Sequence, residues 1–375
     1  MIHQPQKPRD GHPRQQSPVH LFLHHFKWGG GIERYGMDVS TGIRDLGRTV
    51  QVHARKVDPQ VATRLAISAQ AHPVWAFPRR LRTWTLYRRI ERLLPRLEGL
   101  QIALATVPAR DVVVCAGTHL GYLKHLGRKP GFFDRLQIRV ENASYHSSRR
   151  VVSFSRLCAD ELVDLYRIPR ERVTVLYPPI GNSFTPASDP SQRQRHRRDL
   201  GLPEDRTVIL FPSTGHRRKG LDPICKALAG LQDPPLLAIA GKPPGRQREQ
   251  LRLKDGRPAP VQFLGYIEDM EAAYRAADFT ILGSFYEPFG MVGAESVLCG
   301  TRLLFEERAG CLEAVDPGVV ETFSVHDVET IRRAMRQAVD LAHGMRHRIK
   351  DPGAALRYDP RPTSYARALL ALAEG

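Results

Sequence analysis

The sequence predicts an α/β protein built from two parallel-sheet, Rossmann-like domains that face one another across a cleft. Three observations carry this expectation. The chain has 375 residues with 42% hydrophobic content, enough for the cores of two domains of about 100 to 200 residues each. Apolar, β-branched runs recur along it, and most are followed by a segment of helical periodicity, as a parallel sheet requires because each crossover needs a helix to return the chain. Near the middle, the stretch 178–202 is rich in proline and arginine and reads as an exposed connector.

Taken in order, residues 1–17 combine proline and charge where an export signal would be apolar, and are expected to form a disordered tail. Predicted strands at 19–26, 49–54, 111–115, 151–155 and 173–177 build a first domain over 18–178. A linker over 179–202 contains the basic run Arg193, Arg195, Arg197 and Arg198. Strands at 207–212, 236–241, 261–266, 278–283 and 302–305 build a second domain over 203–350, and 351–375 is expected to hold a helix that packs back on the first. Ligands of open α/β sheets bind beyond the carboxyl ends of the strands, so functional residues are expected just after them.

Lysine plus arginine outnumber aspartate plus glutamate by 56 to 39, a formal charge of +17 that favours anionic partners. No run approaches the roughly 18 to 20 apolar residues of a membrane span. Cys115, Cys158, Cys225, Cys299 and Cys311 are scattered without CxxC spacing inside or beside apolar runs; reduced core thiols and a cytoplasmic setting follow. A nucleic-acid-binding protein would suit the charge, but no RNP-type aromatic motif, zinc pattern or clear helix-turn-helix accompanies it.

Three motifs follow predicted strands. Gly29-Gly30-Gly31-Ile32-Glu33-Arg34 opens a helix, where backbone amides can meet an anion. Ser213-Thr214-Gly215-His216-Arg217-Arg218-Lys219-Gly220 places a turn at Gly215 and two cations before a helix, suited to a diphosphate and to the charge that grows on it as it leaves. Glu287-Pro288-Phe289-Gly290-Met291-Val292-Gly293-Ala294-Glu295 puts one carboxylate in a loop and another about a turn into the next helix, where both can accept from the hydroxyls of one ligand. His119 follows a strand of the first domain and either reaches a ligand there or serves as a hydrogen-bonded structural histidine.

These motifs, with Phe263-Leu264-Gly265-Tyr266 and Ala276-Ala277-Asp278, stand in the order found in glycosyltransferase family 4, which the chain resembles over about 19–315. Gly131-Phe132-Phe133-Asp134-Arg135-Leu136, Pro178-Pro179 and Arg218-Lys219-Gly220 make it most similar to the lipopolysaccharide core glucosyltransferase I type. The resemblance implies the GT-B fold and metal-independent, retaining transfer of a hexose to a lipopolysaccharide-core, other glycolipid or saccharide acceptor. The donor is a nucleotide sugar, expected to be a UDP-sugar, and no other cofactor is implied. It gives Glu287 the donor sugar's hydroxyls, Glu295 the ribose, Arg218 and Lys219 the diphosphate, and Gly30 and Gly31 the phosphate from the opposite domain. The amides of Phe289, Gly290, Met291 and Val292 would face the sugar, and Gly215 and Tyr266 join the binding set.

The pattern is not complete. Thr214 stands where many members carry an arginine, and the segment around His119 is shorter than its counterpart, so acceptor-side residues do not carry over. A nucleotide-sugar epimerase or phosphorylase of the same fold would hold similar ligands. Seven arginines lie between Arg79 and Arg96, where the periodicity predicts an amphipathic helix over 85–97. It is either an ordinary surface helix or a contact to an anionic membrane at its inner face.

Overall fold

The computed structural model describes residues 17–75, 79–241, 252–253, 256–344 and 347–375. The expected tail, up to residue 16, lies outside them. The first sheet contains β1 (Val19–Phe26), β2 (Val50–Val57), β3 (Ser68–Ala71), β4 (Leu100–Ala103), β5 (Val112–Cys115), β6 (Arg150–Ser153) and β7 (Val173–Val175). The second contains β8 (Val208–Pro212), β9 (Leu236–Ala240), β10 (Val261–Gly265), β11 (Phe279–Leu282), β12 (Arg302–Glu306) and β13 (Val320–Phe323). Their orders are β3-β2-β1-β4-β5-β6-β7 and β10-β9-β8-β11-β12-β13, every pairing parallel.

Three strands escape the apolar-run reading, each for a physical reason. β3 (SAQA) and β13 (VETF) are short edge strands with only partial burial, so neither forms an apolar run. β4 (LQIA) is central but interrupted by Gln101, which is buried because its amide donates to Leu94 O at 2.9 Å while its backbone N–H donates to Asp111 Oδ2 at 2.8 Å.

The helices of the first half are α1 (Gly31–Asp45), α2 (Pro59–Arg64), α3 (Arg82–Leu93), α4 (His119–His125), α5 (Phe132–Ser147) and α6 (Arg156–Tyr166). Beyond β7 come α7 (Pro190–Asp199), α8 (Leu221–Ala229), α9 (Met270–Ala276), α10 (Met291–Leu298), α11 (Val328–His343) and α12 (Pro362–Glu374). Several begin on side-chain caps that satisfy otherwise unpaired amides: Thr118 accepts from Gly121 N at 3.0 Å and Ser155 from Cys158 N at 3.2 Å. α12 packs on α1, where the Tyr35 and Tyr365 hydroxyls share a buried 2.8 Å hydrogen bond. A Cβ added at Gly42 would lie 2.4 Å from Pro362 O, so α1 needs a glycine there.

The exposed connector is corrected. Residues 190–199 form α7, which packs on α9. Arg197 is 2% exposed and donates to Asp278 Oδ2 at 2.7 Å and to the carbonyls of Ala276, Pro203, Glu204 and Arg206. Arg193 pairs with the same carboxylate. Part of the basic run is thus internal structure, since a buried guanidinium persists only when its donors are met. All five cysteines are buried free thiols, and among the described residues no helix is long and apolar enough to cross a membrane.

Candidate active site

The loops after β1, β5, β8 and β11 bring the predicted residues together. β1 and β4 are neighbours in the first sheet, as β8 and β11 are in the second, and in both the chain order reverses at that point. A crevice opens where a parallel sheet changes direction of winding, and the two crevices meet here.

In the second half, the 213–220 loop is held by Gly220, whose φ is +76° and whose added Cβ would lie 2.0 Å from Gly283 O. The turn expected at Gly215 is present, its carbonyl accepting the Lys219 N–H at 3.1 Å, but Gly215 lies outside the left-handed region and Gly220 is the position that excludes a side chain. Gly290, at φ +89°, turns the chain into α10. Glu287 Oε2 accepts from the Ser284 hydroxyl at 2.6 Å and lies 3.9 Å from Arg218 Nη1. Burial lowers the Lys219 pKa, Glu287 acting against the shift and Arg218 with it.

Glu295 is the fifth residue of α10 and is buried. Its Oε2 accepts from Tyr274 at 2.8 Å, and its Oε1 lies 3.6 Å from Arg34 Nη1, contributed by α1 of the other half. Burial raises the pKa of Glu295 despite Arg34 and the Tyr274 bond. Asp38, one turn further along α1, is raised by burial to about 7, with Arg34 opposing. Arg34, which ends the glycine motif and is not given a role by the sequence pattern, lines the cleft and lies over the Phe184 ring at 4.9 Å.

From the first half, Gly30 caps α1 and Gly31 begins it, an added Gly31 Cβ standing 3.5 Å from Met291 Sδ. His119 begins α4; its Nε2 lies 2.8 Å from Asp134 Oδ1, and its backbone N–H donates to Glu141 Oε2 at 2.9 Å. A hydrogen bond from Gly131 N–H, then that to His119, holds Asp134 below the usual carboxylate range. Tyr286, beside Glu287, reaches across to the first half. Glu141, Tyr122 and Tyr286 line the site without having been singled out in the sequence. Tyr286 had a signal in its adjacency to Glu287, whereas Glu141 enters only through the packing of α5.

A cavity of about 460 Å³ is lined by Gly31, His119, Glu141, Arg218, Lys219, Glu287, Phe289, Gly290, Met291, Val292 and Glu295. It meets a second, of about 270 Å³, at Gly31, Lys219, Val292 and Glu295; Gly30, Arg34 and the exposed ring of Tyr266 line that one. A third, of about 840 Å³, meets the first at Tyr122 and Arg218 and includes Gly215. Cations near the middle, carboxylates on either side and free amides at the start of α10 suit a hydroxyl-rich ligand with an anionic centre. Among the described residues no group of three or more His, Cys, Asp or Glu is arranged to hold a metal ion.

Two facing Rossmann-like domains around such a cleft define an enzyme of the GT-B type. Residues 29–182 match the family model Glycosyltransferase Family 4, and residues 192–355 match Glycosyl transferases group 1. A probable transglycosylase of Burkholderia thailandensis is 37% identical over 95% of this chain and 96% of its own. The fold is shared with WaaG, a glycosyltransferase involved in lipopolysaccharide biosynthesis, at a TM-score of 0.72 and 20% identity over 95% of both chains. It is shared too with Anabaena HepE in complex with UDP and glucose, at a TM-score of 0.68 and 15% identity over 96% of this chain and 98% of that one. The chain belongs to glycosyltransferase family 4 and is a glycosyltransferase.

Proposed function

We propose that the enzyme transfers a hexose, with retention of anomeric configuration, from a nucleoside diphosphate sugar to a glycolipid or saccharide acceptor. The continuity of the two smaller cavities carries this reading: they share Gly31, Lys219, Val292 and Glu295. The 270 Å³ compartment takes the nucleoside, with Tyr266 against the base and Glu295 at the ribose. Gly30, Gly31, Arg218 and Lys219 hold the diphosphate and stabilise the charge it gains on departure. Glu287, the amides from Phe289 to Val292 and His119 receive the sugar. Binding both partners in the closed cleft contributes by orientation.

UDP is the proposed nucleotide, in keeping with the ligand of HepE, and a lipopolysaccharide-type acceptor at the inner membrane face is in keeping with WaaG. The cationic work is assigned to side chains, so activity is expected to survive EDTA. A thermal-shift screen against UDP-, GDP- and ADP-sugars tests the donor, since a ligand at about 100 times its Kd adds roughly 2.7 kcal/mol. NMR of the product's anomeric proton tests retention. No shift with any nucleotide sugar, or an inverted product, removes the corresponding part.

A further inference from the structure

Building on that donor reading, the third cavity is left for the acceptor. It meets the sugar compartment at Tyr122 and Arg218 and shares no lining residue with the nucleoside compartment. Its walls come from both halves: Tyr122, Leu126 and Arg128 from the end of α4 and the loop beyond it, and Gly215, His216, Arg217, Arg218 and Phe285 from the loops after β8 and β11. Three guanidinium groups line it and no carboxylate does.

Asp134, whose charge also acts on Arg128, and Glu287 both hold hydrogen bonds to other groups. Asp134 accepts from Gly131 N–H at 2.9 Å and pairs with His119, while Glu287 faces the sugar cavity and the Ser284 hydroxyl. Among the described residues, no ion pair is made by Arg128 or Arg217. A neutral saccharide would leave like charges from the two halves facing one pocket, whereas a phosphate or carboxylate would join them through bidentate hydrogen bonds. Tyr122 and Phe285 add apolar ring faces suited to the C–H face of a sugar.

We infer that the acceptor is an anionic saccharide, whose phosphate or carboxylate is held between Arg128 of the first half and Arg217 of the second while its hydroxyl faces the donor sugar. Its binding would thereby favour closure of the cleft.

The test titrates glucose 6-phosphate, glucuronate and methyl α-glucoside into the UDP-loaded protein by calorimetry. At least one charged probe is expected to bind roughly tenfold or more tightly than the neutral glucoside. The one that does distinguishes phosphate from carboxylate recognition. In an Arg128→Gln/Arg217→Gln variant, the preference should fall to within about twofold while UDP affinity stays within about twofold of the parent. Equal binding of all three probes, no binding of either charged one, or a preference that survives in the variant overturns the inference. Failure of UDP to bind counts against the donor reading alone, and the probes are then compared on the nucleotide-free protein by the same criteria.

Discussion

The Tyr286 hydroxyl donates to Glu161 Oε2 across 2.7 Å and accepts the Thr118 N–H at 3.0 Å, tying the loop that carries Glu287 to the opposite half of the molecule. Thr118 Oγ1 donates to the same carboxylate oxygen at 2.6 Å, and all three residues are buried. Gly121 makes room for this junction, since an added Cβ would lie 2.2 Å from Glu161 Oε1. Burial and the Glu161 charge raise the Tyr286 pKa, keeping its phenol a donor. The relation between the halves is therefore fixed one residue away from the carboxylate proposed to hold the donor sugar.

Tyr286→Phe should weaken this junction without emptying the space. It leaves the buried Thr118 N–H without its partner, at a cost of about 1 to 3 kcal/mol, while Glu161 Oε2 loses one donor but keeps the Thr118 hydroxyl. Thermal unfolding is expected to shift downward by several degrees. Glu161→Gln combined with Tyr286→Phe should cost less than the sum of the single changes, because both act on one hydrogen-bonded cluster. Strict additivity in that double-mutant cycle would show that the contact carries no energy.

Glu287→Ala and Lys219→Ala should each reduce transfer by about 100-fold or more with the fold intact, as expected for groups acting at the transition state. Steady-state rates measured beside circular dichroism decide this. Near-parental rates in both folded variants would remove the donor-site assignment.

The elements legible in the sequence are those whose burial is written into consecutive residues. β1 is buried along nearly its whole length and appears as an apolar run, as do β8, β9 and β11. β4 could not be read this way, because Gln101 is internal by virtue of partners that come from Leu94 and Asp111. The site followed the same division. Glu287, Arg218 and Lys219 are legible because turn residues and charge lie together in sequence, while Arg34 and Glu295 meet only when two halves dock at 3.6 Å. Arg197 misled for the converse reason: its neighbours are basic, and its carboxylate partner lies at Asp278.

The pKa of Asp38, raised to about 7, gives a signed pH test. Between about 4 and 7 the folded chain holds a proton on this carboxyl that the unfolded chain has released, so its contribution to stability falls as pH rises through that window. His24 and His53, both lowered by burial to about 4, act oppositely: the unfolded chain takes up their protons below about 6.5, and their contribution is lost as pH falls. The comparison must therefore be of variant against parent at each pH. Asp38→Asn should gain in melting temperature relative to the parent on going from pH 5 to pH 8, because the amide has no charge to bury. A flat difference would place the Asp38 pKa near its ordinary value.

The final prediction concerns attachment to a membrane, and rests on α3 and the chain that follows it. The helix ends earlier than the periodicity suggests: α3 spans Arg82–Leu93, and Leu94–Arg96 forms a short 3₁₀ turn containing Pro95. Leu86 and Ile90 are buried in the first domain, while Arg88, Arg89, Arg92 and Arg96 are exposed along a groove of about 750 Å³ with Trp75 and Trp84. Arg88 is paired with Glu91 at 2.9 Å, and Arg89 donates to Pro73 O at 3.2 Å. Trp75 is 87% exposed, and indole rings favour the headgroup region while cations contribute about 1 kcal/mol each near an anionic leaflet. Several arginines acting together would hold the enzyme reversibly on such a surface. We expect it to sediment with vesicles containing phosphatidylglycerol at low salt and to be released as added salt shortens the screening length to about 10 Å at 0.1 M. Replacing Arg88, Arg89, Arg92 and Arg96 with glutamine should weaken vesicle binding while leaving turnover of a short soluble acceptor nearly unchanged, since none of the four lines the three cavities of the cleft. If the quadruple variant sediments as fully as the parent, α3 is an ordinary surface helix and any membrane contact lies elsewhere.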